Sequence, residues 1–130
     1  RSGHVGDIHE AFDKWLGKDC PAFVPRTGPL PTTVIGVIHA SGGIVSLAHP
    51  GLTSIDENIK ELQQAGLDAI EAYHSGHSVE DRDRYLAIAR KLGLFVTGGS
   101  DYHGNEHHRG RLGKMCLPEV EWNRIKQYLN

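Results

Sequence analysis

Hydrophobic and polar positions follow two alternating periods along the chain. Apolar residues recur three and four positions apart in residues 8–16, 34–38, 59–63, 85–92 and 120–129, which is the spacing of helices with one buried face. Short, mostly apolar runs at residues 44–48, 67–73 and 94–97 separate the middle helices and are typical of buried strands. Regular alternation of helices and strands predicts an α/β fold with parallel strands joined by right-handed crossovers.

Capping residues predict where the helices begin. A side-chain oxygen followed three positions later by an acidic residue marks a helix start at Asp7, Ser54 and Ser78. Thr32 or Thr33 is predicted to cap the helix that follows the proline-containing loop 18–31. Near the end of the chain, residues 114–117 are expected to form a last strand or extended piece before a final helix.

Ligand-type side chains follow three successive strands. His49 and His74 stand after the first two, and Asp101 and His103 follow the third within a segment that contains Gly98, Gly99 and Gly104. The carboxyl ends of parallel strands meet at one edge, where α/β proteins place their sites. A simpler interpretation is that Asp101 caps a turn and His103 is a solvated surface residue. Because three strand ends in succession carry such residues, the pattern favours a metal site built from imidazole and carboxylate ligands.

Length, composition and net charge limit the classes of protein and of binding partner that the sequence can represent. The 130 residues suit one domain, residues 1–130, with 38% hydrophobic and 23% charged residues. Since apolar runs stay short of the roughly 20 residues that a membrane span needs, no membrane partner is expected. A net charge of −2 argues against a large nucleic-acid surface, although a single nucleotide is compatible with it. Cys20 and Cys116 form no C-x-x-C pair, so a reduced, cytoplasmic protein is expected.

Two polar stretches offer anion-binding candidates. Arg26 lies in a loop stiffened by prolines, where its guanidinium is a candidate for clamping a phosphate in two hydrogen bonds, or is simply solvated. Residues 105–113 contain His107, His108, Arg109 and Arg111, and are expected to be a lid, a basic rim or a solvated loop.

Several stretches together resemble one protein family. They are Glu10–Gly17, Pro21–Pro25, Ala40–Gly43, Leu47–Pro50, Ala65–Asp68, Glu71–His74 and Gly98–Gly104, and they cover most of residues 7–113 in order. The chain resembles the C-terminal half of a PHP domain (polymerase and histidinol phosphatase) of the small phosphoesterase branch. The resemblance implies part of a distorted TIM-like β/α barrel with parallel strands.

The same resemblance implies a site. Divalent ions, three in the complete domain and of Mn, Zn or Fe type, would lie at the carboxyl rim of the barrel. His49, Asp101 and His103 match metal ligands of the family, with Asp101 and His103 serving different ions and Asp101 acting as the catalytic carboxylate. Arg26 and His74 match positions near the substrate phosphate, and the resemblance leaves open whether His74 contacts phosphate or metal.

The implied activity is metal-dependent hydrolysis of phosphate monoesters or nucleotide phosphodiesters of small molecules, of the nucleoside bisphosphate or short oligonucleotide type. The family's N-terminal Asp-x-His-x-His turn has no counterpart in residues 1–6. Two hypotheses follow: the chain is a piece of such an enzyme, or it is a catalytically incomplete relative that acts as a binding or structural module. Half a barrel leaves strand edges and apolar surface open, so an oligomer or a partner chain is expected to cover them.

Overall fold

Helices and strands alternate as the hydrophobic pattern predicts. The computed structural model describes residues 3–25, 27–103 and 112–129. In chain order the elements are α1 (Ile8–Ala11), a π-helical turn (Phe12–Leu16), α2 (Pro31–Ala40), β1 (Ser46–Leu47), two 3₁₀ turns (Pro50–Leu52 and Asp56–Asn58), α3 (Ile59–Gln64), β2 (Ala69–His74), α4 (Val79–Leu92), β3 (Phe95–Gly99) and α5 (Glu119–Leu129). The predicted mixed α/β class is confirmed.

The three strands form one parallel sheet in the order β1–β2–β3. Leu47 of β1 stands opposite Ile70 of β2, and Ile70 in turn stands opposite Val96 of β3. The last pair of the β2–β3 ladder joins His74 to Gly99. All three strands therefore end at the same edge of the sheet. The sheet formed by these three strands is open, so it makes part of a barrel wall at most.

An irregularity between Glu71 and Tyr73 lets β3 approach β2 closely at Gly98. A Cβ atom placed on Gly98 would lie 2.6 Å from Cβ of Tyr73 and 2.8 Å from its carbonyl oxygen. Only glycine fits there without moving one of the strands. The irregularity between Glu71 and Tyr73, together with Gly98, thus determines the path of the chain into residues 100–103.

The buried core lies between the sheet and the helices α3 and α4. Its members are Ile59, Leu67, Ile70, Ala72, Tyr85, Ala89, Leu94 and Val96. Tyr85, the largest fully buried side chain, donates from its hydroxyl to Asp56 Oδ1 at 2.7 Å and accepts from Arg84 Nη2 at 2.8 Å. The hydroxyl is therefore fully hydrogen-bonded, which offsets the cost of burying it.

Helix starts agree with the predicted caps in part. Asp7 accepts from Glu10 N at 2.8 Å, and Ser78 forms a reciprocal capping box with Asp81, as predicted. The prediction for α2 is wrong: this helix begins at Pro31, whose fixed φ and missing N–H suit the first helical position, and Leu30 precedes it. Ser54 does not cap α3. It has a left-handed φ of 52°, and a 3₁₀ turn without a side-chain cap comes before the helix.

Apolar side chains at both ends of the described chain stay exposed. In α1 and the turn after it, Ile8, Phe12 and Trp15 keep 69%, 54% and 47% of their surface. In α5 only Ile125 is buried, while Trp122 remains half exposed. Of the strand or extended piece expected at residues 114–117, the strand does not form: residues 112–114 are a turn, and Cys116 and Leu117 belong to neither a helix nor a strand. Within the described ranges, none of the helices is long and apolar enough to cross a membrane.

Candidate functional site

The sheet register brings the predicted ligand residues to one edge. His49 stands two residues after β1, His74 is the last residue of β2, and Asp101 stands two residues after β3. Because His74 pairs with Gly99, the chain reaches Asp101 directly beside it. The ring centroids of His49 and His74 are 5.4 Å apart, and His74 Nε2 lies 3.7 Å from Asp101 Oδ2. Four predicted site residues, with His103 as the fourth, thus share one rim.

Two histidine nitrogens at this rim lack hydrogen-bond partners. They are Nδ1 of His49 and Nε2 of His74, and they are the two buried side-chain polar atoms without a partner in the part of the chain that the structure describes. Leaving a buried polar atom unpaired costs roughly 1–3 kcal/mol. Because binding of a ligand would offset this cost, the two atoms mark a candidate binding site.

His74 is held as a neutral ring of defined tautomer. It keeps only 3% of its surface exposed, and its Nδ1 accepts a hydrogen bond from Gly76 N at 3.0 Å. Since Nδ1 is the acceptor, the proton of the neutral ring sits on Nε2. Burial lowers the pKa of His74, although Glu71 and Asp101 oppose this effect by stabilising the cation. His74 therefore presents an N–H donor toward Asp101.

His103 has the opposite tautomer. Its Nδ1 lies 2.7 Å from the carbonyl oxygen of Asp101, which can only accept, so Nδ1 carries the proton. In the neutral ring Nε2 then keeps a free lone pair, as a metal ligand requires. Asp101 itself adopts a left-handed φ of 51°, a conformation in which the short Asp and Asn side chains are tolerated. Both side chains are exposed.

His49 occupies a strained backbone position. Its φ of 30° and ψ of 56° are left-handed, and it precedes Pro50, where an extended conformation is the usual one. Its N–H donates to Glu71 Oε2 at 2.8 Å, and its carbonyl accepts from Leu52 N at 3.0 Å. Non-glycine residues hold such conformations at a cost of about 1–3 kcal/mol and concentrate at functional sites.

Glu71 and His77 also belong to this rim, and the sequence patterns did not select them as site residues. Glu71 lies on β2 and fixes the backbone of His49, while the ring of His77 packs 5.2 Å from that of His74. A polar Glu71 in an otherwise apolar strand and the His74-x-x-His77 spacing were the available signals. Arg26 and residues 107, 108, 109 and 111 lie outside the described residues, so the predictions made for them stay predictions.

A divalent cation fits this edge by the chemistry of its donors. The edge offers a carboxylate on Asp101, a ring nitrogen with a free lone pair on His103 and a buried unpaired nitrogen on His49. Imidazole and carboxylate suit Zn, Mn and Fe. Within residues 3–25, 27–103 and 112–129, however, no three His, Cys, Asp or Glu side chains are arranged to hold one ion. The described donors have the chemistry of metal ligands but do not by themselves form a metal site.

Curated proteins related to the chain are phosphoesterases. The chain is 33% identical over 128 residues to a 3',5'-nucleoside bisphosphate phosphatase of Chromobacterium violaceum, an alignment that covers 90% of this chain and 45% of that protein. It is 39% identical over 70 residues to a phosphoribosyl 1,2-cyclic phosphate 1,2-diphosphodiesterase of Eggerthella lenta, covering 54% and 27%. The chain spans less than half the length of these relatives. No protein-family model matches it.

Two solved structures share the fold. One is an amidohydrolase from Chromobacterium violaceum with bound sulfate and no metal, which superposes with a TM-score of 0.77 at 29% identity over 97% of this chain and 46% of its own. The other, from Bifidobacterium adolescentis, is described as a candidate metal-dependent phosphoesterase and gives a TM-score of 0.71 at 31% identity, covering 90% and 43%. The parallel sheet and its helices thus match somewhat less than half of each of these two structures.

Proposed function

Because the chain is a relative of the PHP-type metal-dependent phosphoesterases, we propose that it forms part of an enzyme that hydrolyses phosphate esters of small molecules. The substrates would be phosphate monoesters or nucleotide phosphodiesters, of the nucleoside bisphosphate or short oligonucleotide type. One observation carries the proposal: at the carboxyl edge of a parallel sheet, the unpaired Nε2 of His74 lies 3.7 Å from the Asp101 carboxylate, and the ring of His49, which also has an unpaired nitrogen, lies 5.4 Å from the ring of His74.

Residues 1–130 would form one folding unit that corresponds to the C-terminal half of a PHP domain. Two observations support this assignment. The chain aligns with 45% of the bisphosphate phosphatase and 46% of the amidohydrolase structure. In addition, its apolar side chains are exposed in α1 and α5, as expected where further structure packs against them.

His49, Asp101 and His103 would hold divalent ions of Mn, Zn or Fe type, three of them in the complete domain. When bound, such ions lower the pKa of water toward neutrality and neutralise charge on the phosphoryl oxygens. Asp101 would supply the anionic ligand, which suits a hard cation, and is the catalytic residue in this assignment. The lone pair on His103 Nε2 is available because Nδ1 is engaged by the Asp101 carbonyl.

His74 would contact the substrate instead of a metal. A metal ligand needs a lone pair on Nε2, but that atom carries the proton as long as Nδ1 accepts from Gly76. A buried N–H is a good donor to a phosphoryl oxygen, and a hydrogen bond to a charged oxygen contributes about 1.5–3 kcal/mol. Arg26 would clamp the same phosphate in two hydrogen bonds. The related amidohydrolase structure contains bound sulfate, a tetrahedral dianion similar in shape and charge to phosphate, and this supports the proposed phosphate contacts.

The proposal is tested on the full-length protein after removal of bound metal. Phosphate release from a 3',5'-nucleoside bisphosphate and from a dinucleotide is followed with and without added Mn²⁺. The expected result is release that depends on Mn²⁺ and disappears again with a chelator. No release from either substrate with added Mn²⁺, Zn²⁺ or Fe²⁺ would overturn the proposed activity.

The alternative function is that of a non-catalytic binding or structural module. It is favoured by the finding that, among the described residues, no three His, Cys, Asp or Glu side chains are arranged to hold one ion, and a second copy or a partner chain would then bury the exposed Ile8, Phe12 and Trp15. Size-exclusion chromatography with metal analysis separates the two functions. An oligomer that binds no metal supports the module, whereas stoichiometric metal with turnover supports the enzyme.

A further inference from the structure

The ring of His77 connects two segments of the site edge. Its Nδ1 lies 3.0 Å from the carbonyl oxygen of Ala72 in β2, and its Nε2 accepts from Gly51 N at 3.2 Å. A carbonyl only accepts and a backbone N–H only donates, so the two partners fix the tautomer with the proton on Nδ1. Both ring nitrogens are thereby satisfied. His77 is therefore a bridge between the end of β2 and the turn after His49.

That turn needs support from outside. His49 is left-handed before a proline, at a cost of about 1–3 kcal/mol, and such a conformation persists only where its surroundings hold it. Glu71 Oε2 holds its N-terminal side by accepting from His49 N. His77 holds the C-terminal side through Gly51, two residues later. A Cβ atom on Gly51 would lie 2.8 Å from His77 Cδ2, which shows how closely the turn rests on the ring.

Two neighbouring aromatic rings restrict the position of the His77 ring. The ring centroid of His77 lies 5.2 Å from that of His74 and 5.3 Å from that of Tyr85. Tyr85 is fully buried, and its hydroxyl is held by Asp56 and Arg84. A row of rings thus runs from the core through His77 and His74 to His49.

We propose that His77 is a positioning residue: by accepting from Gly51 N it holds the His49 turn in the conformation that aims the His49 imidazole at a bound cation. This inference rests on the proposed function, which makes His49 a metal ligand. Groups that orient metal ligands matter because the ligand must be held in place before the ion arrives. His77 contacts neither ion nor substrate in this role.

Two substitutions separate the two hydrogen bonds of His77. His77→Asn keeps an N–H donor near the position of Nδ1, which can still bond to the Ala72 carbonyl, but it loses the acceptor for Gly51 N. His77→Gln places a carbonyl oxygen near the position of Nε2 and so keeps the acceptor for Gly51 N. On metal-free full-length protein, Mn²⁺ binding is measured by titration calorimetry, and hydrogen exchange of the Gly51 amide is measured by NMR.

We expect His77→Asn to weaken Mn²⁺ binding roughly 10–100-fold, as loss of a group that orients a metal ligand does. Exchange of the Gly51 amide should accelerate in the same variant, and His77→Gln should restore both properties. Wild-type affinity and protection in His77→Asn would overturn the inference, as would equal losses in both variants. If the wild-type protein binds none of Mn²⁺, Zn²⁺ and Fe²⁺, the proposed function fails, and the Gly51 exchange rates still show whether His77 holds the turn.

Discussion

Nε2 of His74 lies 3.7 Å from Oδ2 of Asp101, across the boundary between β2 and the chain that leaves β3. The separation is longer than a hydrogen bond, so neither atom satisfies the other. The Nε2–H of His74 lies on the side of Asp101, and the side chain of Asp101 is 41% exposed. An N–H donor suits a phosphoryl oxygen, and a carboxylate suits a cation. The two residues should accordingly respond differently to substitution.

His74→Phe should weaken substrate binding and leave metal binding intact. Phenylalanine keeps the ring packed between His49 and His77 but lacks the Nε2–H donor, so kcat/KM should fall roughly 10–100-fold, the equivalent of one charged hydrogen bond. Steady-state kinetics on the full-length protein and Mn²⁺ titration measure the two effects. His74→Gln, which retains an N–H donor, should recover part of the loss. A drop in Mn²⁺ affinity with unchanged KM would instead make His74 a metal ligand.

Asp101→Asn should remove metal-dependent turnover. Asparagine tolerates the left-handed backbone at φ 51°, so the substitution changes charge with little change in shape. Loss of the anionic ligand should lower Mn²⁺-stimulated turnover by more than about 100-fold, equivalent to several kcal/mol of transition-state stabilisation. Asp83→Asn, at an exposed position of α4, is the matched control and should keep full activity. Equal activity in both variants would exclude Asp101 from the site.

The gathering of His49, His74 and Asp101 at one edge was predictable, because apolar runs locate strands and parallel strands end together. Their protonation states were not. Which nitrogen of His74 or His103 carries the proton depends on the Gly76 amide and the Asp101 carbonyl, and these contacts arise from backbone conformation. The bridge from His77 to Gly51 spans 26 residues in sequence, so no local spacing reveals it.

Helix starts show the same limit. The Ser78 cap was predictable because its partner Asp81 is local and the backbone before α4 is extended. Ser54 has a similar sequence signature, yet its left-handed conformation prevents it from capping. Ser78→Ala should therefore destabilise the protein by about 0.5–2 kcal/mol. Ser54→Ala should change its stability by less than about 0.5 kcal/mol. Urea unfolding of both variants measures the difference, and equal losses would contradict the observed caps.

Tyr85 should make stability fall at alkaline pH. Burial raises the pKa of its hydroxyl above 10.0, and the nearby Asp56 carboxylate adds to the effect while Arg84 opposes it. Because the folded state holds this proton more tightly, the contribution is fully present below the unfolded pKa and is lost as pH rises through the folded pKa. The slope is at most about 1.4 kcal/mol per pH unit. Urea unfolding between pH 8 and 11 measures it.

Tyr85→Phe should abolish that part of the slope and also cost about 0.5–1.5 kcal/mol at neutral pH, since the hydrogen bond to Asp56 is lost. Tyr128→Phe is the control. Tyr128 is exposed, and its ring lies 4.9 Å from that of Phe95 in a tilted arrangement, so the variant should keep the wild-type pH dependence of stability. If the unfolding free energy of Tyr85→Phe falls with pH as steeply as that of the wild type, ionisation of Tyr85 does not govern stability at alkaline pH.

Gly98→Ala should loosen the pairing of β2 and β3 directly below the site. The added methyl would meet Tyr73 Cβ at 2.6 Å, and neither strand can yield without breaking the ladder that places His74 beside Gly99. Overpacking of this kind costs about 1–3 kcal/mol. Gly36→Ala should change the stability in the opposite direction. Gly36 lies inside α2 with open space around it, so alanine should stabilise the helix by about 0.5–1 kcal/mol. Thermal unfolding of the two variants compares them, and a neutral Gly98→Ala would show that the strands are further apart at this position than the structure places them.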